Sequence, residues 1–187
     1  SVQAIAIADV NTVKLYANPL TATPTLITTL TIDAGYEITG MVYLNQNLYI
    51  GTQNVYGGNA LMYVWSGTGT AAQSAYETDS SIIFSLCSYN NSVHLFTGDG
   101  ALLRFDGSGF SLVDAFPIYY TDMHLTDYLN IGIYKNVMKS NGQQIYILFG
   151  NNENSSNALT YQPDGLWCYD PKVGLHHKYS LSNSVVT

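Results

Sequence analysis

Residues 42–52 read VYLNQNLYIGT, and this stretch decides the fold because its pattern recurs along the chain. An apolar run, a short group of Asn and Gln, and a second apolar run are typical of a strand, a tight turn and a strand. The stretch CSYNNSVHLFT at 87–97 repeats the pattern 45 residues later, and VMKSNGQQIYIL at 137–148 is a third copy. In that copy, Asn141-Gly142 is the strongest short hairpin signal in the chain. We therefore predict three β-hairpins that belong to one repeating unit.

A strand that ends at an aromatic residue follows each hairpin. The three stretches are ALMYVWSG at 60–67, ALLRFDG at 101–107 and GLWCYDP at 165–171, and a further strand comes after each. The N-terminal region gives a fainter fourth copy, with strands predicted at 4–8, 13–16 and 25–30. The repeating unit is thus three or four short antiparallel strands in about 45 residues, which is the length of a propeller blade.

This repeat predicts an all-β, β-propeller-like fold of about four repeats of 3–4 antiparallel strands. The approximate units are 1–35, 36–80, 81–121 and 130–187. Blades stacked around an axis bury the faces that a single meander leaves exposed. A β-sandwich or jelly roll also uses many short strands and is the alternative. The chain of 187 residues is predicted to be a single propeller-like domain or part of one, because propellers have typically 4–8 blades.

The chain carries few charges. Charged residues make up 10% of it and the net charge is −7, whereas soluble domains usually carry about 25% charged residues. The six Lys and Arg residues are scattered, so no basic stripe favours nucleic acid or an anionic membrane. No apolar run approaches the ~18 residues of a membrane helix. Cys87 and Cys168 are predicted to be free, buried thiols on strands.

Local motifs for catalysis or cofactor binding are absent from the sequence. It contains no Gly-x-Ser-x-Gly elbow, no Ser-x-x-Lys and no phosphate-binding glycine loop. His176 and His177 are adjacent and would point to opposite faces of a strand, while His94 takes the place of Tyr49 in the repeat and is interpreted as a packing residue. We predict no enzyme activity, no catalytic residue, no metal site and no cofactor.

Most carboxylates lie in turns. Asp99-Gly100, Asp106-Gly107 and Asp164-Gly165 have the residue types that turns require, namely a local hydrogen-bond acceptor and a residue that tolerates positive φ. Their spacing does not match a calcium loop.

Tyrosine is abundant, with 16 residues. Most are interpreted as sheet packing with hydroxyls that reach water. Tyr56 lies in a glycine-rich loop, and Tyr119 and Tyr120 follow Pro117. These three exposed aromatics are the predicted binding residues for a partner.

The repeated units resemble blades of the β-propellers found in virion proteins of tailed bacteriophages. The most suggestive part is LWCYDPKVGLHHKYS at 166–180, which is similar to the W-x-Y-D-P-x-x-G blade endings of such proteins. The resemblance implies a structural component of the phage tail, of tail hub or nozzle type, or of the head–tail connector. It also implies location in the virion and assembly with copies of itself and other virion proteins. The alternative is a carbohydrate- or receptor-binding propeller on a virion or as an extracellular protein, with a host-surface glycan or receptor as partner.

Overall fold

The computed structural model describes residues 4–116, 137–149 and 165–179. The described residues form fifteen β-strands in four antiparallel sheets and no helix. They fall into two compact units, Ser1–Ile83 and Phe84–Thr187. Among the described residues, no helix has the length and apolar character needed to cross a membrane.

Each sheet is a meander in which strands that are consecutive in sequence are neighbours. The first unit contains a three-stranded sheet of described residues, with β1 at Ala4–Asp9, β2 at Thr12–Ala17 and β3 at Thr25–Thr31. It also contains a four-stranded sheet, with β4 at Tyr36–Leu44, β5 at Asn47–Asn54, β6 at Leu61–Trp65 and β7 at Ser74–Glu77. Each of these sheets, like those of the second unit, lies within one of the four repeats predicted from sequence.

The second unit contains the other two sheets, each of four strands within the described residues. One has β8 at Ile83–Tyr89, β9 at Ser92–Thr97, β10 at Ala101–Phe105 and β11 at Phe110–Ala115. The other has β12 at Met138–Ser140, β13 at Ile145–Phe149, β14 at Gly165–Asp170 and β15 at Gly174–Tyr179. The prediction of one domain over 1–187 stays a prediction.

Asparagine-rich turns close the first two predicted hairpins. Asn45 and Gln46 have φ of 49° and 66°, and Asn90 and Asn91 have φ of 47° and 56°. Positive φ at both central residues is the type I′ geometry, whose twist matches that of the flanking strands. These two hairpins are therefore confirmed, with β4–β5 and β8–β9 joined by two-residue turns.

A repeated threonine links the second and third strands of two sheets. The Thr52 hydroxyl donates to the Leu61 carbonyl at 2.7 Å and accepts from the Leu61 N–H at 3.1 Å. In the second unit, the Thr97 hydroxyl donates to the Ala101 carbonyl at 3.1 Å. Both threonines are buried, so these bonds satisfy their hydroxyls where water has no access.

The turn between β1 and β2 holds a strained valine. Val10 has φ of 45°, a left-handed conformation that is rare for a β-branched residue. The Val10 carbonyl accepts from the Ile38 N–H at 2.7 Å, and the next carbonyl, of Asn11, accepts from the Ile32 N–H at 3.0 Å. The neighbouring backbone thus keeps the turn in this conformation although the side chain opposes it.

Val10→Asn is expected to raise the free energy of unfolding by about 1 kcal/mol, because asparagine adopts positive φ at a lower cost. Val10 is 61% exposed, so the substitution removes little packing. Urea denaturation followed by circular dichroism measures the change. Val173→Asn is the matched control, because Val173 is also an exposed turn valine and has no positive φ. An equal gain in both variants would show that a polar side chain at an exposed turn, and not relief of backbone strain, raises the stability, and would contradict the backbone explanation.

The core of the first unit joins its two sheets. Seven buried residues form it: Val13, Leu30, Ile32, Ile38, Ile50, Tyr63 and Trp65. Trp65, the aromatic end of β6, is fully buried, and its indole N–H donates to the Thr68 carbonyl at 3.2 Å. The aromatic strand ends in the sequence are thus core anchors in this unit.

Side chains and backbone also connect the two sheets of the second unit. The Met138 N–H donates to the buried Ser85 hydroxyl at 3.2 Å, and the Tyr89 hydroxyl donates to the Gln143 carbonyl at 2.9 Å. Phe116 packs against Trp167 with ring centroids 4.7 Å apart. These contacts hold sheet β8–β11 against sheet β12–β15.

Both cysteines are buried free thiols, as predicted, on β8 and β14. Burial raises the pKa of Cys87 to about 12 and also raises the pKa of Cys168. Both side chains therefore remain protonated at neutral pH, where a thiol is a poor nucleophile.

Candidate functional site

The structure describes one of the three predicted binding tyrosines. Tyr56 lies in the loop after β5 and is 85% exposed. Its N–H donates to the Asn54 side-chain oxygen at 3.0 Å, and its ring covers Gly35, where an added Cβ would come within 2.6 Å of the ring. Tyr119 and Tyr120 lie outside the described residues. A role for these three tyrosines in binding stays a prediction.

A polar groove of about 490 Å³ lies in the second unit. Its floor is a row of polar side chains across three adjacent strands, in which His94 is opposite Arg104 and Arg104 is opposite Ser111. Residues directly opposite in an antiparallel sheet share a face, so these three side chains line the same side. Tyr89, Tyr169 and Pro171 form the other walls. We call this the His94 groove.

His94 is the least accessible polar residue of the groove. It is 3% exposed, and its ring packs edge-on against Tyr89 with centroids 5.4 Å apart. Nδ1 is buried without a hydrogen-bond partner among the described residues. Burial lowers the pKa of His94 from its ordinary 6.5. A hydrogen bond between the ring and the Ser92 backbone opposes this shift, and the charge of Arg104 adds to it. The imidazole is therefore neutral at pH 7.

Arg104 supplies the positive charge among the residues that line the groove. Its side chain is exposed, and within the described part of the chain it forms no ion pair. Asp170, on the opposing sheet, accepts from the Lys172 N–H at 2.9 Å and from the Gln144 amide at 2.7 Å. A guanidinium in this state is available for a carboxylate or phosphate from a ligand.

The aromatic walls are held in place. Tyr89 is 5% exposed and meets Tyr169 edge-to-face, with centroids 6.5 Å apart. The hydrogen bond from the Tyr89 hydroxyl to Gln143 fixes its ring. The groove therefore combines a rigid aromatic side, a neutral imidazole, two serines and a cation, which suits binding of a polar anionic molecule.

The interpretation of His94 as a packing residue is correct for its ring but misses the unpartnered nitrogen. A comparison of paired residues between the two units reveals the polar site. Tyr49 is opposite Val64 in the first unit, whereas the equivalent pair in the second unit is His94 opposite Arg104. Arg104 is also the single arginine of the chain.

Elsewhere, the described histidines and carboxylates serve local structure. His176 Nδ1 lies 3.1 Å from the Gly174 carbonyl, while His177 packs on Trp167. The Asp106 carboxylate accepts from the Ser108 and Gly109 N–H groups at 2.9 Å each, and these bonds lower its pKa. No group of three potential metal ligands occurs among the described residues.

The edge of β1 is open within the described residues. In sheet β4–β7 the fourth strand, β7, leads into the next sheet through residues 78–82. Strand β3 leads into the next sheet in the same way, through residues 32–35, so β3 corresponds to a fourth strand. Since the sheet order is β1-β2-β3, β1 has the place of a second strand, and the first place is vacant among the described residues. Ile5 and Ile7 on β1 are 45% and 50% exposed.

An apolar cavity of about 420 Å³ adjoins this edge. Ala4 and Ala6 of β1 line it together with Leu15 and Trp65. In the fourth copy predicted from sequence, the strands at 4–8, 13–16 and 25–30 therefore have the second, third and fourth places of a sheet. The β1–β2 turn corresponds to the connection between β5 and β6.

The chain is similar to solved structures. A computationally designed protein, Ika8, aligns with 94% of this chain and 49% of its own, at 13% identity and a TM-score of 0.52. The β-propeller domain of Cps50 (Swd1) from Myceliophteria thermophila aligns with 96% of this chain and 56% of its own, at 12% identity and a TM-score of 0.54. The chain thus spans about half the length of these structures. Neither a protein-family model nor a curated protein matches the sequence.

At this level of identity the similarity shows the fold alone. The prediction of an all-β, β-propeller-like fold is confirmed.

Proposed function

We propose that the chain is a structural, non-enzymatic module that assembles by protein–protein contacts through the edge of β1. The strand place beside β1, which is vacant among the described residues, is the observation that carries this proposal. An edge strand presents a row of N–H and C=O groups that pair readily with another strand. Natural edge strands are usually protected by charge or proline, but β1 reads AIAIAD and has a single charge at its end.

The occupant that we propose for this place is a strand from a second copy of the chain. Strand addition supplies main-chain hydrogen bonds, while alternate side chains bury apolar surface. Ile5 and Ile7 offer that surface on one face of β1, and the cavity beside Ala4 and Ala6 offers it on the other.

The particle that we propose is a tailed-phage virion, with the chain in the tail or the head–tail connector. The support is the blade-ending sequence at 166–180 and the composition, in which amide, hydroxyl and tyrosine side chains replace charge. A net charge of −7 would keep DNA from adhering to such a component. The second candidate, a carbohydrate- or receptor-binding propeller, is favoured by the His94 groove.

Replacing both Ile5 and Ile7 with lysine is expected to raise the dissociation constant of the assembly at least tenfold. Burial of two half-exposed isoleucines is worth about 1–2 kcal/mol or more, and each 1.4 kcal/mol corresponds to a factor of ten. Size-exclusion chromatography with light scattering over a concentration series measures the change. Leu20→Lys is the matched control, because Leu20 is 88% exposed in the same unit and lies outside the strands.

Hydrogen exchange at β1 completes the test. Assembly through this edge predicts that β1 amides exchange slowly in the oligomer and quickly in the double-lysine variant. A wild-type monomer with slowly exchanging β1 amides would show that the edge is covered within one chain, and would contradict the proposal. Equal weakening by Leu20→Lys would contradict it as well.

A further inference from the structure

The geometry points to the His94 groove as a binding site for a sugar carboxylate, of the hexuronate type. This inference is independent of assembly through β1. It rests on one unit of the chain and on three features there: a buried nitrogen and a cation that have, respectively, no hydrogen-bond partner and no ion pair among the described residues, and a fixed aromatic wall.

The buried imidazole indicates that a ligand completes the groove. A buried polar atom without a hydrogen bond costs about 1–3 kcal/mol, so such atoms call for a partner. The His94 side chain is only 3% exposed, and its Nδ1 has no hydrogen-bond partner among the described residues. As a neutral ring, it can exchange a hydrogen bond with a hydroxyl group without adding charge. Ser92 and Ser111, in the same lining, offer two more groups of this kind.

Arg104 determines the charge of the ligand. It lies directly opposite His94 in the β9–β10 register, so a molecule bound to one is within reach of the other. The planar guanidinium matches a carboxylate through two parallel hydrogen bonds. No carboxylate is present among the described residues that line the groove, so the ligand itself supplies the anion.

The groove is larger than a simple anion such as inorganic phosphate requires. Its volume of about 490 Å³ falls in the roughly 300–1,000 Å³ range of small-molecule sites. Inorganic phosphate would satisfy Arg104 but leave Nδ1 of His94 without a partner. A hexuronate carries one carboxylate, several hydroxyls and an apolar ring face for the tyrosine wall. It therefore matches every kind of group in the lining.

Isothermal titration of the full chain with D-glucuronate, D-glucose and inorganic phosphate tests this assignment. We expect glucuronate to bind, and the other two to bind at least tenfold more weakly. Methyl glucuronide separates two sources of the same chemistry: binding as tight as that of glucuronate indicates a sugar acid within a glycan, and weaker binding indicates a free acid. No binding of glucuronate at millimolar concentration, or equal binding of glucose or phosphate, overturns the proposal.

Variants then locate the site. Arg104→Gln is expected to weaken glucuronate binding at least tenfold, and His94→Phe roughly fivefold, since phenylalanine keeps the packing on Tyr89 and removes the nitrogen. Lys139→Gln is the control, because it removes an equal charge from an exposed position of the same unit, outside the groove. Thermal melting confirms that each variant is folded. Unchanged binding in Arg104→Gln, or an equal loss in Lys139→Gln, overturns the assignment without bearing on assembly through β1.

Discussion

Replacement of Gly165 by alanine is expected to lower the free energy of unfolding by roughly 3–5 kcal/mol. Gly165 begins β14 with φ of 126°, a backbone conformation that side chains rarely adopt. An added Cβ would lie 2.1 Å from the Tyr179 carbonyl oxygen and 2.6 Å from His177 Nε2. The imidazole can move away, but the carbonyl belongs to the neighbouring strand β15. The substitution therefore combines backbone strain with displacement of a strand.

Gly107→Ala separates these two costs. Gly107 has φ of 101° in the turn between β10 and β11, and an added Cβ would meet nothing within 4 Å. Only the backbone strain of about 1–2 kcal/mol is expected there. Chemical denaturation gives both values, and hydrogen exchange should show lost protection of β15 in Gly165→Ala alone. If the two variants lose the same stability, the carbonyl at Tyr179 yields without cost and the explanation is wrong.

Local sequence patterns predict most of the strands, because each strand depends on residues that are close in the chain. The pairs Asn45-Gln46 and Asn90-Asn91 sit between apolar runs, and asparagine tolerates the positive φ that a two-residue turn requires. The aromatic strand end at Trp65 is likewise a local signal for a core anchor.

At two positions the structure adds detail that local signals do not contain, because side chains and neighbouring strands shape the backbone there. The hairpin signal at Asn141-Gly142 is confirmed, since β12 and β13 pair antiparallel around it. The Asn141 side chain accepts from the N–H groups of Gln143 and Gln144 at 2.9 and 2.8 Å, and the turn extends over four residues. Gly165 is predicted to begin a strand and to tolerate positive φ, and both are confirmed. The close approach of the Tyr179 carbonyl depends on strand pairing and has no local signal.

The His94 groove was beyond local patterns for a different reason. Its residues come from separate strands, and only strand register and the packing of sheet β8–β11 on sheet β12–β15 bring Arg104 and Tyr169 close to His94. The vacant place beside β1 is similar, since it depends on which strand of one repeat is equivalent to which strand of the next. A single sequence contains the residues for both features but not the pairing that gives them their role.

Replacement of Trp65 by alanine is expected to lower the free energy of unfolding by about 3–5 kcal/mol, because it leaves a cavity that the surrounding sheets fill only in part. Trp65 is fully buried in the core of the first unit, where Val13 and Leu30 come from sheet β1–β3 and Ile50 comes from sheet β4–β7. The loss should therefore reach both sheets of this unit, and hydrogen exchange should quicken in β2 and β3 as well as in β5 and β6.

Two further variants give this prediction its contrast. Tyr43→Ala removes an aromatic ring from strand β4 of the same sheet, but Tyr43 is 67% exposed, so a change within about 0.5 kcal/mol is expected. Trp65→Phe keeps much of the volume and removes the donor to the Thr68 carbonyl, and it should fall between the two. If Trp65→Ala costs no more than Tyr43→Ala, or if exchange quickens in β5 and β6 alone, the aromatic end of the third strand does not join the two sheets. The repeated aromatic in the sequence would then reflect strand preference and not the packing of one sheet on the next.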